Sequence, residues 1–218
     1  AIFIDDAWLS TIFVDRKKVG IFKLLGKASN TPFAAPSSTD IALQASLDLS
    51  HLPSLIRSIN RANGTPDKAE VFLAKTIAGI EIETFLQSAR PTIHFCVDFD
   101  ESQEISLGKE SIGRPHIAIR IDGSPKMLEA AIEHFIATRN ALFKKQVTAS
   151  GKLYTFPAYF SHAIANYQPV ISFDEIRGTT TFASSKSMLE RVENSAKSLT
   201  TDPSFIKTWT QLPEKSSI

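Results

Sequence analysis

The chain has 218 residues, of which 43% are hydrophobic and 22% charged, and its formal net charge is +1. This composition is typical of a globular domain and excludes a disordered chain. A net charge so close to zero gives no bulk attraction to nucleic acid or to a membrane surface. A single cysteine excludes an internal disulfide and a cysteine-rich zinc site. No apolar run reaches the roughly 20 residues that span a bilayer, and no cleaved signal is visible. The predicted location is the cytoplasm, or outside it after export without a visible leader.

The N-terminal third carries weak structural signals. The runs 11–15 and 19–25 predict a β-hairpin, with a short helix over 2–14 as the alternative. Residues 25–40 are rich in Gly, Ala, Ser, Pro and Thr, which indicates a flexible loop or arm. A helix is then predicted to begin near Thr39 or Asp40 and to be interrupted by Pro53.

Two further helices are predicted before the middle of the chain. A short one covers 52–62 and ends at Asn63-Gly64, a usual C-terminal stop. A longer one covers 65–89, with Thr65 as N-cap and Pro66 as first helical residue. Its apolar residues recur at helical spacing.

The stretch 91–122 is the centre of the prediction. Strict alternation in its two halves, separated by a polar loop over 101–113, predicts a β-hairpin. One face of the hairpin is apolar and the other carries reactive side chains. The apolar face comprises Ile93, Phe95, Val97, Phe99, Ile117, Ile119 and Ile121. The opposite face comprises His94, Cys96, Asp98, Asp100, His116, Ala118 and Arg120.

A helix over 125–145 follows and is expected to cover the apolar sheet face. Strands are predicted near 152–156, 170–173 and 179–182, then a helix over 186–198. A short helix from Pro203 and a polar tail over 211–218 complete the chain. The predicted fold is a single α+β domain over 1–218, with an antiparallel or mixed sheet backed by helices 65–89 and 125–145.

The predicted functional site lies on the reactive face of the hairpin. If Asp100 pairs with His116, then Asp98 pairs with Ala118 and Cys96 with Arg120, with opposed Cβ atoms about 5 Å apart. Asp98 and Asp100 would hold a divalent Mg or Mn ion. The two arginines of the second strand, Arg114 and Arg120, would clamp a phosphate. His116 would contact the phosphate or act as general acid–base. The predicted ligand is a nucleotide, a nucleic acid or a phosphoprotein.

Two resemblances to known families concern this stretch. The pair Asp98-Phe-Asp100, followed by Arg-Pro-His116, resembles the archaeo-eukaryotic primase-polymerases. That resemblance implies metal binding by the aspartates, phosphate contact by His116 and a third carboxylate such as Asp174. The stretch also resembles bacterial phosphothreonine lyase effectors, in which a Lys-x-His strand precedes a helix. Here Arg114 stands at the lysine position, and an arginine stays protonated and is a poor base.

Two other classes of function remain open. A non-catalytic interaction module, such as a bacterial effector, immunity or accessory protein, would bind a protein partner through an apolar surface near Trp8 or Trp209. A Cys–His–Asp hydrolase would use Cys96, with His162 and Asp174 in segments similar to those of papain-like peptidases. A buried, inert Cys96 is the favoured interpretation, because a free cysteine behaves as a small hydrophobic residue.

Overall fold

The computed structural model describes residues 2–4, 7–9, 24–26, 35–36, 38–77, 79–107, 110–123, 125–138, 143–156, 167–193, 201–203 and 206–207. Within these ranges the chain forms a seven-stranded antiparallel sheet, two two-stranded sheets and five α-helices. The predicted α+β class is therefore confirmed. In the same ranges, no helix is long and apolar enough to cross a membrane.

The elements follow one another along the chain with short connections in its central part. The strands are β1 (Ile2–Ile4), β2 (Ala7–Leu9), β3 (Ile41–Ser46), β4 (Thr76–Ile77), β5 (Ile80–Glu81), β6 (Thr92–Leu107), β7 (Glu110–Asp122), β8 (Lys144–Val147), β9 (Gly151–Thr155), β10 (Val170–Asp174) and β11 (Thr179–Ala183). The helices are α1 (Leu52–Ala62), α2 (Pro66–Leu73), α3 (Ile82–Ser88), α4 (Pro125–Thr138) and α5 (Lys186–Glu193). The order in the large sheet is β3-β6-β7-β11-β10-β9-β8.

The large sheet has a helix on each face. On one face, the α5 face, Met188, Leu189 and Val192 of α5 pack against a cluster of buried strand residues, most of them small. These strand residues are Cys96, Ala118, Leu153, Val170 and Ala183. On the opposite face, the α4 face, three residues of β9 and β10 form a second core with α4. They are Tyr154, Ile171 and Phe173, and their partners on α4 are Leu128, Ile132 and Ile136.

Helices α1, α2 and α3 form a smaller unit at the end of β3 and β6. Leu73, Ile82 and Leu86 are buried between these helices and share their core with Met127 of α4. On the surface of this unit, the guanidinium of Arg57 on α1 bonds to two carboxylates, one on α2 and one on α3. The partners are Glu70 at 2.9 Å and Glu83 at 2.7 Å.

The structure corrects two helix predictions in the first half of the chain. Residues 41–46 form strand β3 instead of a helix, because Ile41, Leu43 and Ala45 alternate and pair with β6. The predicted helix 65–89 is broken into α2 and α3 by the short β4–β5 hairpin. The turn of this hairpin needs Gly79, whose φ is +77°.

Two boundary predictions after residue 100 were also wrong. The predicted loop 101–113 is mostly strand, because β6 and β7 continue to Leu107 and from Glu110. Helix α4 is described to Thr138 only, and residues 144 and 145, which the prediction placed at its end, belong to the edge strand β8, paired with β9. Lys145 in β8 still reaches the helix, with its ammonium 2.8 Å from Glu133.

Other elements follow the predictions closely. Helix α1 and strands β9, β10 and β11 are confirmed within about one residue. Helix α5 is confirmed over its described part, and Ser185 caps it through a 3.2 Å bond from the Met188 amide. Residues 2–4 and 7–9 pair as the antiparallel strands β1 and β2, so the alternative of a short helix over 2–14 was wrong there. The strand predicted over 11–15, most of the strand predicted over 19–25, most of the 25–40 arm, and the 211–218 tail lie outside the described residues.

The expectation that helix 125–145 covers the apolar face of the hairpin was also wrong in part. Helix α4 covers the apolar face only at β9, β10 and β11. At β3 and β7 the same face is open, with Leu43 60% exposed and Ile117 38% exposed. The reactive face is the buried one there, because α5 covers it and Asp98 is only 7% exposed.

Candidate functional site

Strands β6 and β7 bring the predicted site residues together, in a register two residues from the expected one. Asp98 lies opposite His116, Asp100 opposite Arg114, and Cys96 opposite Ala118. A bulge between Asp100 and Glu104 separates this register from the register of the outer part of the hairpin, in which Glu104 lies opposite Gly113. A shift by two residues keeps every side chain on its original face, because the strand period is two.

Asp98 is held by two partners that the sequence did not predict. The guanidinium of Arg191, on α5, donates to its Oδ2 atom, and the Ser38 hydroxyl donates to the same oxygen at 3.2 Å. A cation at this oxygen would compete with a bound guanidinium. In the part of the chain that the structure describes, no group of three or more His, Cys, Asp or Glu side chains could hold a metal ion.

Asp100 stabilises the bulge and faces the imidazole. Its Oδ1 atom accepts from the amide of Ser102 at 3.0 Å and from the hydroxyl of Ser102 at 2.5 Å. These hydrogen bonds, the hydroxyl bond first, lower the pKa of Asp100. Its Oδ2 atom lies 3.8 Å from Nε2 of His116, which is an ion-pair distance but too long for a hydrogen bond.

Arg114 is fixed by neutral groups. One terminal nitrogen donates to Gln103 at 2.6 Å, and the guanidinium lies over the ring of Tyr167, 4.4 Å from its centroid. The Tyr167 hydroxyl is itself anchored, since it donates to the carbonyl of Pro115. The Nε atom of Arg114 is buried and has no hydrogen-bond partner among the described residues.

His116 has the second unpaired nitrogen of the site. Its side chain is 12% exposed, and its Nδ1 atom is buried without a partner within the described ranges. Burial lowers the pKa of His116, and the positive charges of Arg191 and Arg114 lower it further. The imidazole is therefore neutral at pH 7. The imidazole and the Tyr167 ring are in a T-shaped arrangement, with their centroids 6.1 Å apart.

Arg120 is not brought to this site. It lies six residues along β7 from Arg114, and its Nε atom donates to Asp122 at 2.8 Å. Asp122 also bonds to Nε2 of the buried His94, at 3.0 Å. Burial favours a raised pKa at Asp122, but the hydrogen bonds from His94 and Arg120 outweigh it, so the net effect is a lowered pKa.

We expect the Asp122 carboxylate to stabilise the fold at neutral pH and not in acid. Its folded pKa lies below the unfolded value of about 3.9, so its contribution is complete above about pH 5 and is lost as the pH falls through the folded pKa. Asp122→Asn should therefore lower the free energy of unfolding by about 1–3 kcal/mol at pH 7 and by much less below pH 3. Urea denaturation at both pH values measures this, and an equal loss at both would contradict it.

Cys96 and Asp174 lie apart on the α5 face. Cys96 is buried, as favoured, and burial raises the pKa of its thiol to about 11, so little thiolate exists at neutral pH. Asp174 on β10 lies opposite Thr179 of β11, and Thr179 lies opposite Asp122 of β7. Cys96 lies opposite Ala118, which is four residues from Asp122 on β7. His162, Trp209 and the Trp8 side chain lie outside what the structure describes.

Comparisons with family models, with curated proteins and with solved structures found no significant match to this chain. They support none of the resemblances noted from the sequence. The functional assignment therefore depends on the geometry of the site, in which Ser38, Tyr167 and Arg191 were missed by sequence reasoning. Each comes from a segment without a motif, and Arg191 is 93 residues from the carboxylate it contacts.

Proposed function

We propose that the chain binds a phosphate-bearing ligand through Arg114 and His116. The observation that supports this is the pair of buried nitrogen atoms, Nε and Nδ1, that have no partner in the described part of the chain. A buried donor without an acceptor costs about 1–3 kcal/mol. Because Arg114 and His116 are two residues apart on β7, both side chains lie on the α5 face, where one ligand can contact both.

The chemistry of the two nitrogens fits phosphate oxygens. The Nε–H of an arginine donates, and the Nδ1 of a neutral imidazole donates in the tautomer that carries its proton there. Tyr167 stacks on Arg114 and keeps the guanidinium plane in place before a ligand arrives. If the ligand reacts, His116 is the acid–base group, because a neutral imidazole can accept a proton at pH 7.

The predicted divalent ion on Asp98 and Asp100 stays a prediction. A metal bound at Oδ2 of Asp98 would have to displace the guanidinium of Arg191. Ligand titrations with EDTA and with MgCl2 separate the two cases. Binding that needs Mg²⁺ would support the metal, and binding of equal strength in EDTA would leave the arginines as the cations of the site.

The test of the proposal is titration of the purified protein with inorganic phosphate, with adenosine monophosphate and with dimethyl phosphate, measured by isothermal calorimetry. We expect Arg114→Gln to weaken binding at least 10-fold, since a charged hydrogen bond contributes about 1.5–3 kcal/mol. His116→Gln should weaken it less. Lys186→Gln on α5 is the matched control, because it removes one exposed positive charge from the other side of the helix. Equal affinity of Arg114→Gln and the parent protein would refute the proposal.

A non-catalytic interaction module is the second candidate, and the open apolar face of β3 and β7 favours it. Ile41 and Leu43 on β3 are 45% and 60% exposed, and Ile117 and Ile119 on β7 are 38% and 36% exposed. Strand β6 lies between these two strands, and its Val97 on the same face is 7% exposed. Exposed apolar residues on one face often mark interaction sites. For this candidate Leu43→Lys changes association, measured as self-association by sedimentation, whereas Arg114→Gln has no effect. We propose the same location as the sequence predicts, in the cytoplasm or after export without a visible leader.

A further inference from the structure

The charges that surround Arg114 and His116 are nearly balanced before any ligand arrives. Arg191 is paired with Asp98, and Asp100 lies beside His116. Arg114 lies opposite Asp100 but forms no ion pair with a described carboxylate, and its bonded and stacked partners, Gln103 and the ring of Tyr167, are neutral. The site thus offers one guanidinium charge that no carboxylate contacts.

More carboxylates lie at the margin of the site. Asp40 accepts from the amide of Phe99 at 2.7 Å, next to Asp100 on β6. Glu104, on the far side of the bulge, accepts from the Ser111 hydroxyl at 2.7 Å. Among the described residues, neither Asp40 nor Glu104 forms an ion pair with a Lys, Arg or His side chain. A ligand with two negative charges would therefore place its second charge near carboxylates and not near a cation.

The number of unpaired donors points the same way. The site presents two buried nitrogens, one on Arg114 and one on His116. A phosphate diester has two non-bridging oxygens and one negative charge, so each oxygen can take one nitrogen. A phosphate monoester carries close to two charges at pH 7 and a third oxygen, for which the described part of the site has no unpaired charged donor, since the buried Thr39 hydroxyl between Ser38 and Asp40 is neutral.

We infer that the phosphate bound at Arg114 and His116 is a singly charged diester and not a doubly charged monoester. This inference rests on the proposed function and names the chemical class of its ligand. Such a group occurs in nucleic-acid strands and in phospholipid headgroups. Asp100 is the residue that enforces the preference, because its side chain lies on the same face of the sheet as Arg114 and His116. Its carboxylate is held in place by hydrogen bonds from Ser102.

The experiment compares dimethyl phosphate with methyl phosphate at pH 7.5, in EDTA and at low salt, by NMR titration of the backbone amides. We expect dimethyl phosphate to bind at least 5-fold more tightly. The shifted amides should include those of β7 near Arg114. If neither compound binds, the proposed function itself fails. If methyl phosphate binds equally well or better, the proposed function stands and the diester inference is wrong.

A variant tests the cause of the preference. Asp100→Asn keeps an oxygen that can accept from Ser102, so the bulge is retained, but it removes the charge. We expect it to strengthen methyl phosphate binding more than dimethyl phosphate binding and to bring the ratio near one. Glu190→Gln, which removes an exposed charge from α5, is the control and should leave the ratio unchanged. An unchanged ratio in Asp100→Asn would contradict the inference.

Two soluble diesters then identify the source of the ligand. Glycerophosphocholine represents a phospholipid headgroup, and the dinucleotide TpT represents a nucleic-acid strand. Tighter binding of either one than of methyl phosphate supports the diester inference and names its source. Weaker binding of both would overturn it.

Discussion

Replacing Gly151 with alanine is expected to destabilise the protein by about 4 kcal/mol or more, in the range of the most damaging single substitutions. Gly151 begins β9 opposite Asp174 of β10. A Cβ atom there would lie 1.9 Å from the carbonyl oxygen of Phe173 and 3.0 Å from its carbonyl carbon. Both atoms belong to the backbone of a central strand, so neither can move without breaking the pairing of β9 with β10.

Gly178→Ala is the matched control for this prediction. Gly178 has a φ of +65°, but a Cβ atom there would meet nothing within 4 Å. Its cost should be the backbone strain alone, about 1–2 kcal/mol. Urea denaturation of both variants measures the difference. Similar midpoints for the two proteins would show that the contact at Phe173 is relieved without loss of pairing.

The second large effect is expected at Phe173. Its ring is 1% exposed and packs edge-on against Tyr154, with the centroids 5.7 Å apart. Phe173→Ala should lower the free energy of unfolding by about 3–5 kcal/mol, because it removes a large buried ring and leaves a cavity beneath α4. Leu43→Ala, at an apolar residue that is 60% exposed, should cost less than about 1 kcal/mol.

Thermal or urea unfolding of this pair tests which end of the apolar face is core. Both variants remove apolar groups from the α4 face of the same sheet, so their hydrophobicity changes in the same direction. A loss at Leu43 comparable to the loss at Phe173 would mean that the β3 end of the face is covered in solution. That outcome would contradict the exposures of Ile41 and Leu43.

The sequence predicted the hairpin of β6 and β7, and the two faces of each strand, because alternation is a local property. It also predicted α1 and the start of α4, whose turns and prolines act within a few residues. It could not predict which face of the hairpin is buried. That depends on α5, whose Met188 lies 70 residues further along the chain than Ala118 and 92 residues further than Cys96, in the same core cluster.

The candidate site was predicted in part for the same reason. Asp98, Asp100, Arg114 and His116 do lie together, since a two-residue error of register keeps their face. Arg120 lies elsewhere on β7, where it bonds to Asp122. The contacts of Ser38, Tyr167 and Arg191 are non-local, and no spacing rule within one element could place them. The helix prediction near residue 40 was wrong because β3 has only six residues, and so short an alternating pattern is a weak strand signal.

The ion pair between Arg191 and Asp98 connects the folding of the protein to the occupancy of its site. Helix α5 closes the core through Met188, Leu189 and Val192, and the same helix delivers Arg191 beside His116. An occupant that contacts Arg114 and His116 would bind only the folded chain, in which this helix lies on the sheet, and saturation should raise the melting temperature by mass action. Conversely, a substitution that loosens α5 anywhere along its length should weaken the affinity for that occupant, even if it lies far from the binding nitrogens.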